Sequence, residues 1–193
     1  GPKSKESRLP CNISEVRVIA IVAVDKNWGI GKDGKLLVSI PEDQRDVFRR
    51  YTIGNTIVYG RKTLFTFPGK RPLPGRMNIV LSKNTSFSVD GALVLNSLSE
   101  IKEYIRRHME EVVYVIGGAE VYRLLLPYCD EAIVTRIDAE FEADSFFENL
   151  DLSKNWVETS RTDPFISEKG IHFCVSRFRN LKMTGNCAMC TND

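Results

Sequence analysis

The stretch VRVIAIVAV, residues 16–24, is apolar and largely β-branched, interrupted only by Arg17. A strand with one wet face alternates apolar and polar residues, so a run this continuous has the character of a strand buried on both faces. Further short runs of the same kind follow: TIVYG (56–60), NIVLS (78–82), ALVLN (92–96), VVYVIGG (112–118) and EAIVTRI (131–137). Helical patterns lie between several of them. SLSEIKEYIRRHM opens with Ser97 and Glu100 at capping-box spacing and sets Leu98, Ile101 and Ile105 along one face. GAEVYRLLLPY leaves a strand through paired glycines and stops at Pro127. ETSRTDPFISEKGIHFCVSRFR reads as two strands around a polar turn. Strands alternating with helices predict an α/β domain with a mostly parallel sheet and an antiparallel edge at its end. In such sheets ligands bind beyond the carboxyl ends of the strands, near a switch in strand order.

The chain has 193 residues, enough for one well-buried domain, and no linker or repeat divides it. A net charge of +2 argues against nucleic acid or a membrane surface as partner, and no apolar run reaches membrane-spanning length. Gly1-Pro2 resembles the scar of a protease-cleaved tag, so residues 1–15 are expected to be a disordered leader, 16–180 the domain and 181–193 a polar tail. Five cysteines, an odd number scattered along the chain, favour a reducing compartment, hence the cytoplasm. Cys187 and Cys190 form one CxxC without the second pair a zinc site needs, so no metal is expected.

The residues just after the strands carry the chemistry. Gly60-Arg61-Lys62-Thr63 follows TIVYG, Ser82-Lys83 closes NIVLS, and Gly117-Gly118-Ala119-Glu120 follows VVYVI. Glycine that admits a ligand to the backbone, then cations at a helix start, suits an anion. Each turn alone is ordinary punctuation. Three at one sheet edge point to a ligand with several phosphates. RPLPGR (71–76) is a stiff loop whose Arg76 could grip a carboxylate through paired bonds. KNWGIGKDGKLL (26–37) has three glycines and no period of helix or strand, a candidate lid. LLVSIPEDQRDVF (36–48) brings Glu42 and Asp43 into a first helical turn, either to complement the dipole or to do chemistry.

Taken in order, IVAVDKNWGIGKDGKL, IPEDQ, GRKT, RPLPGRMNIVLS, YVIGGAEVYRLLLPYCDEAIVTRID and FEADSFF resemble dihydrofolate reductase over residues 16–178. The resemblance implies a single α/β domain with an eight-stranded, mostly parallel sheet, an antiparallel C-terminal strand and about four flanking helices. It implies NADPH as cofactor and dihydrofolate as substrate, with hydride passing to the pterin while a ring nitrogen takes a proton. The cofactor would meet Ala23, Ile30, Gly31, Gly60, Arg61, Lys62, Thr63, Leu81, Ser82, Lys83, Ile116, Gly117, Gly118, Ala119, Glu120, Val121 and Tyr122. Arg61 and Ser82 would serve the 2′-phosphate. The substrate slot would be lined by Ile21, Val22, Leu36, Val47, Phe48, Phe67, Leu73, Ile116 and Tyr122, with Arg76 on the substrate's α-carboxylate. Asp43, hydrogen-bonded by Thr135, would hold the pterin edge. Antifolate inhibitors are implied ligands, and a monomer is expected.

Two departures stand out. Leu37-Val38 replaces the Pro-Trp usual in the lid, and the helix after Pro41 carries one residue too many. Counting from Pro41 makes Asp43 the acid; counting back from Thr52 puts Gln44 there, which would leave a weak folate- or NADPH-binding homologue. A reductase of another heterocycle, as in riboflavin synthesis, is a further alternative that Arg76 opposes. The reading adopted has Asp43 as the acid, the extra residue taken up later as a π-bulge, Asp46 as fallback on the same face, and Glu42 turned to solvent. The Gly117–Gly118 bond is expected to be cis.

Overall fold

The structure, a computed structural model, describes residues 16–183. Cys11, Cys187 and Cys190 therefore lie outside the described residues, as do the leader and the tail beyond 183. The strands are β1 (Val18–Val24), β2 (Gly29–Lys32), β3 (Lys35–Leu36), β4 (Thr56–Gly60), β5 (Met77–Leu81), β6 (Ala92–Leu95), β7 (Val113–Gly117), β8 (Glu131–Ile137), β9 (Ser145–Phe146), β10 (Trp156–Arg161), β11 (Phe165–Ile166) and β12 (His172–Asn180). The main sheet runs β10-β12-β8-β1-β7-β4-β5-β6, with β11 paired to β12. Every neighbouring pair from β8 to β6 is parallel; β12 is antiparallel to both β8 and β10. The antiparallel edge expected from sequence is the hairpin of β10 and β12, with β10 outermost.

The chain lays β4, β5 and β6 outward on one side, then returns with β7 and β8 on either side of β1. That reversal of order places a crevice beside the carboxyl end of β1. Alternate residues of β1 supply two cores. Val18, Ala20, Val22 and Val24 pack with Ile101 and Ile105 of the helix Leu98–Arg107 and with Val121 and Leu125 of the helix Ala119–Leu125. Ile19 and Ile21 pack on the other face with Val47 and Leu64, from the helix 41–52 and the one-turn helix Arg61–Leu64. Burial of each such side chain contributes roughly 1.5–3 kcal/mol. These are the four helices expected.

Arg17, the one charge in the first strand's run, is buried, and its guanidinium donates to the carbonyls of His108 at 2.8 Å and Glu111 at 3.1 Å. Asp130 accepts from the backbone N–H groups of Arg17 at 3.0 Å and Val18 at 2.9 Å, fixing where β1 begins. Ser97 caps its helix by accepting from the Glu100 N–H at 3.2 Å; the Glu100 carboxylate reaches back past Ser97 to the Asn96 N–H. The proposed lid 26–37 is not a structureless loop. Its strands β2 and β3 pair with each other, and β2 pairs with β9 in a small second sheet. Its glycines hid this: Gly29 and Gly31 give no alternation to read, yet a Cβ on Gly31 would lie 2.8 Å from Ser145 Oγ.

Candidate active site

The helix 41–52 resolves the register. Pro41–Asp43 is α, Gln44–Arg49 is π and Arg50–Thr52 is α again, so the extra residue widens the turn after Asp43. Pro41 stands at the helix start, where its missing N–H costs nothing, and Ile40 before it is buried as an anchor. Asp43 is 7% exposed, and its Oδ1 accepts from Thr135 Oγ1 at 2.5 Å; Thr135, on β8, is 1% exposed. Burial pushes the Asp43 carboxyl up to about 6, against the opposing pull of the Thr135 hydrogen bond. A carboxyl poised there can exchange a proton near neutral pH.

The neighbouring polar groups do not share this site. Gln44 is exposed. Asp46 is exposed and paired with Arg45 at 3.0 Å, so it is no fallback acid: the wide turn carries it off the face that three residues of α-helix would have kept. Glu42 is not free in solvent either. It is half-buried, and its Oε1 accepts from the Glu168 N–H at 2.9 Å.

Ile21, Val47, Phe48, Phe67, Leu73 and Ile116 come together on one face of the sheet, with Tyr59 and Tyr114 beneath them. Three expected lining residues do not join that cluster. The Val22 side chain lies in the opposite core, because neighbours along a strand alternate faces, Tyr122 packs in that same opposite core, and Leu36 is 65% exposed on β3. Arg76 sits at the mouth with its guanidinium 5.8 Å from the Phe48 ring centre and its Nε buried without a partner. Burial, and then the charge of Arg49, hold the guanidinium below its usual range. The loop bearing Arg76 is pinned by a residue that sequence reasoning passed over. Asn78 donates to the carbonyls of Leu73 at 2.8 Å and Arg76 at 3.0 Å, while its Oδ1 accepts from Leu73 N–H and Tyr59 OH. The available signal was an amide at the head of an otherwise apolar strand.

The three expected anion turns lie at the carboxyl ends of the adjacent strands β7, β4 and β5. The helices they open are short, four residues at Arg61–Leu64 and seven at Ala119–Leu125. Little dipole can accumulate over so few residues, so free N–H groups and side chains must hold an anion here. Gly117–Gly118 is cis, as expected, and Gly117 has φ 134°, open to glycine. A Cβ on Gly60 would lie 3.2 Å from Val121, and one on Gly118 would lie 3.4 Å from Thr63 Oγ1, so the bare backbone forms a narrow cradle. The Arg61 guanidinium stands 5.0 Å from the Phe87 ring centre and 5.7 Å from that of Phe65; Ser82, buried, directly follows β5, the strand beside β4. Lys62, Lys83 and Glu120 are exposed, Leu81 and Ala119 half-buried. A cradle of glycine backbone flanked by an arginine and a hydroxyl fits the phosphates of a dinucleotide.

Nearer β1, Tyr122 is buried and its OH donates to the Ile21 carbonyl at 2.6 Å. Ala23 pairs with Thr135 across β1 and β8, beside the acid, and Ile30 packs on the larger core. Gly31 is occupied in pairing β2 to β3 and β9. The residue holding the base of this segment is Trp28, 4% exposed with φ 61°, stacked on Phe147 at 6.3 Å and covered by Arg136 at 5.4 Å. Nothing in its sequence context marked it as core.

Comparison with known proteins places this geometry. The family model for dihydrofolate reductase matches residues 17–180. A dihydrofolate reductase of Neisseria gonorrhoeae is 35% identical over 158 residues, covering 82% of this chain and 94% of the relative. One from Enterococcus faecium is 41% identical over 136 residues, 70% of this chain and 80% of the relative. A dihydrofolate reductase structure from Enterococcus faecalis, complexed with NADP(H) and RAB-propyl, superposes with TM-score 0.75 at 36% identity, covering 85% of this chain and 96% of that one. Fold, ordered motifs and relatives agree: the chain belongs to the dihydrofolate reductase family.

Proposed function

We propose that Asp43 and Thr135 handle the proton in this enzyme's NADPH-dependent reduction of 7,8-dihydrofolate to 5,6,7,8-tetrahydrofolate, with the substrate lying between Asp43 and Arg76. The observation that carries the reading is the buried Asp43 carboxyl, poised at about 6 and hydrogen-bonded by Thr135. Its ionised form can accept two charge-assisted bonds from the amidine-like edge of a pterin, and its protonated form can feed a proton toward the ring nitrogen. NADPH supplies the hydride when bound. Arg61, Thr63, Ser82 and the Gly117–Gly118 backbone would hold its phosphates, and Tyr122, Ala23 and Ile30 would lie by its nicotinamide. Arg76, whose Nε lacks a partner, would take the substrate's α-carboxylate as a bidentate guanidinium does. The exposure of Gln44 removes the motive for a weak, acid-less homologue.

Among the described residues no helix is long and apolar enough to cross a membrane. With a net charge of +2 and cysteines of a reducing environment, a cytoplasmic monomer acting on small molecules is the reading that fits. The test is the loss of NADPH absorbance with and without dihydrofolate, in the native chain and in Asp43→Asn. Dihydrofolate-dependent oxidation that falls by orders of magnitude in the variant near neutral pH, and recovers partly in acid, is the expected result. Near-normal turnover in the variant would remove Asp43 from the proton path.

A further inference from the structure

The Asp43 carboxyl sits just before an irregular helical turn, so something other than that turn must fix its position. The chain between β11 and β12 turns tightly at 167–170. Ser167 is buried, its carbonyl accepts from the Gly170 N–H at 2.8 Å, and its hydroxyl accepts from the Ile171 N–H at 3.0 Å. Gly170, at φ 76°, gives the turn a left-handed residue with open space around it. From this turn two bonds reach the start of the helix 41–52. The Glu168 N–H donates to Glu42 Oε1 at 2.9 Å, and Lys169 Nζ donates to the Ser39 carbonyl at 2.9 Å. Between these two grips Ile40 is 2% exposed and packs with Ile137 and Phe173.

Glu42 is an unusual occupant of a first turn. Its Oε2 is shut from water, and the Glu168 N–H on the other oxygen holds the carboxyl below its usual range, so the charged form is favoured where it sits. The contrast with the next turn is informative. Gln44, Arg45 and Asp46 are all exposed, so the added residue bulges on the solvent side, while residues 40–43 stay bound to the sheet.

We propose that Glu42 is a positioning residue for the reaction, tying the first turn of the helix to the 167–170 turn so that the extra residue is absorbed downstream and Asp43 stays against Thr135. This rests on the reading of Asp43 as the proton-handling acid, and the test keeps the two apart. Steady-state kcat and KM are measured for Glu42→Ala, Glu42→Gln and Lys169→Ala, each in the native and the Asp43→Asn background, with NADPH binding followed separately. Glu42→Ala is expected to lower kcat about tenfold, within the range that small misplacements of a reacting group produce, with NADPH affinity unchanged. Glu42→Gln keeps an oxygen that accepts from the Glu168 N–H and should recover most of the loss. In the Asp43→Asn background Glu42→Ala should cost nothing more, because a residue acting only through Asp43 has no function left to lose. Lys169→Ala, outside the helix, should show the same dependence on Asp43, and it keeps the test decisive if Glu42→Ala does not fold. Native kcat in both Glu42→Ala and Lys169→Ala, or full loss persisting in the Asp43→Asn background, would overturn the proposal. Native turnover in Asp43→Asn alone would instead overturn the assignment of the acid.

Discussion

Replacing Asp43 by Asn should stabilise the folded protein at alkaline pH while disabling it. Burial raises the Asp43 carboxyl from an ordinary 3.8 to about 6. Above pH 6 the native state therefore carries a charge it would rather not bury. At about 1.36 kcal/mol per pH unit, the cost of ionising Asp43 in the fold is about 3 kcal/mol. The sign follows from proton counting: between roughly pH 4 and 6 the folded state binds more protons than the unfolded chain, so stability falls as pH rises through that window. An amide carries no such penalty. Its oxygen can still accept from Thr135, although its N–H₂ group then needs a partner, which returns some of the gain. A net increase of about 1–3 kcal/mol at pH 8 is expected, and little or none at pH 4. Urea denaturation at the two pH values measures it; with a slope of about 1–3 kcal/mol per molar, the midpoint at pH 8 should rise by roughly 1 M. A midpoint at pH 8 that is unchanged or lower in Asp43→Asn would show that the buried carboxyl is not under strain, and the argument for its poised proton would go with it.

Thr135→Val removes the hydrogen bond that holds Asp43 down, so the limb on which kcat/KM falls with rising pH should move to higher pH; an unmoved limb would detach Thr135 from the acid. Arg61→Ala should weaken NADPH far more than NADH, by one to two orders of magnitude for a lost charge-assisted contact, and equal losses would show that Arg61 does not read the 2′-phosphate. Arg76→Leu should raise KM for dihydrofolate while leaving a pterin without a glutamate unaffected, and a parallel rise for both would place Arg76 outside the carboxylate contact. A diaminopyrimidine antifolate should bind more weakly than to the Enterococcus faecalis relative, since Val38 and the widened turn alter the wall it packs on; equal inhibition constants would refute this.

How much of this was legible depended on whether a residue's partners were near it in sequence. The strands of the parallel sheet were readable because burial on both faces forces a continuous apolar run, and β4 occupies the very residues, TIVYG, that the pattern picked out. The π-turn was readable only by comparing two counts, one from Pro41 and one from Thr52; neither propensity nor periodicity shows where a helix stores an added residue. The choice between the counts was made by tertiary contacts: Ile40 in its cluster, Glu42 and Ser39 on the 167–170 turn, and Asp43 on Thr135, 92 residues away. The same distance hid Asn78, whose value lies in the Arg76 loop it pins, and Trp28, whose ring is enclosed by Phe147, Phe178 and Arg136. It also misled. Leu36, placed in the slot lining by the resemblance alone, stands exposed on β3, outside the cluster that the other lining residues form. Asp46 looked like a second acid because three residues of α-helix return to the same face, and a wider turn does not. The identity of the buried acid was written locally, in Pro41 and Asp43; the geometry that holds it was written across the sheet.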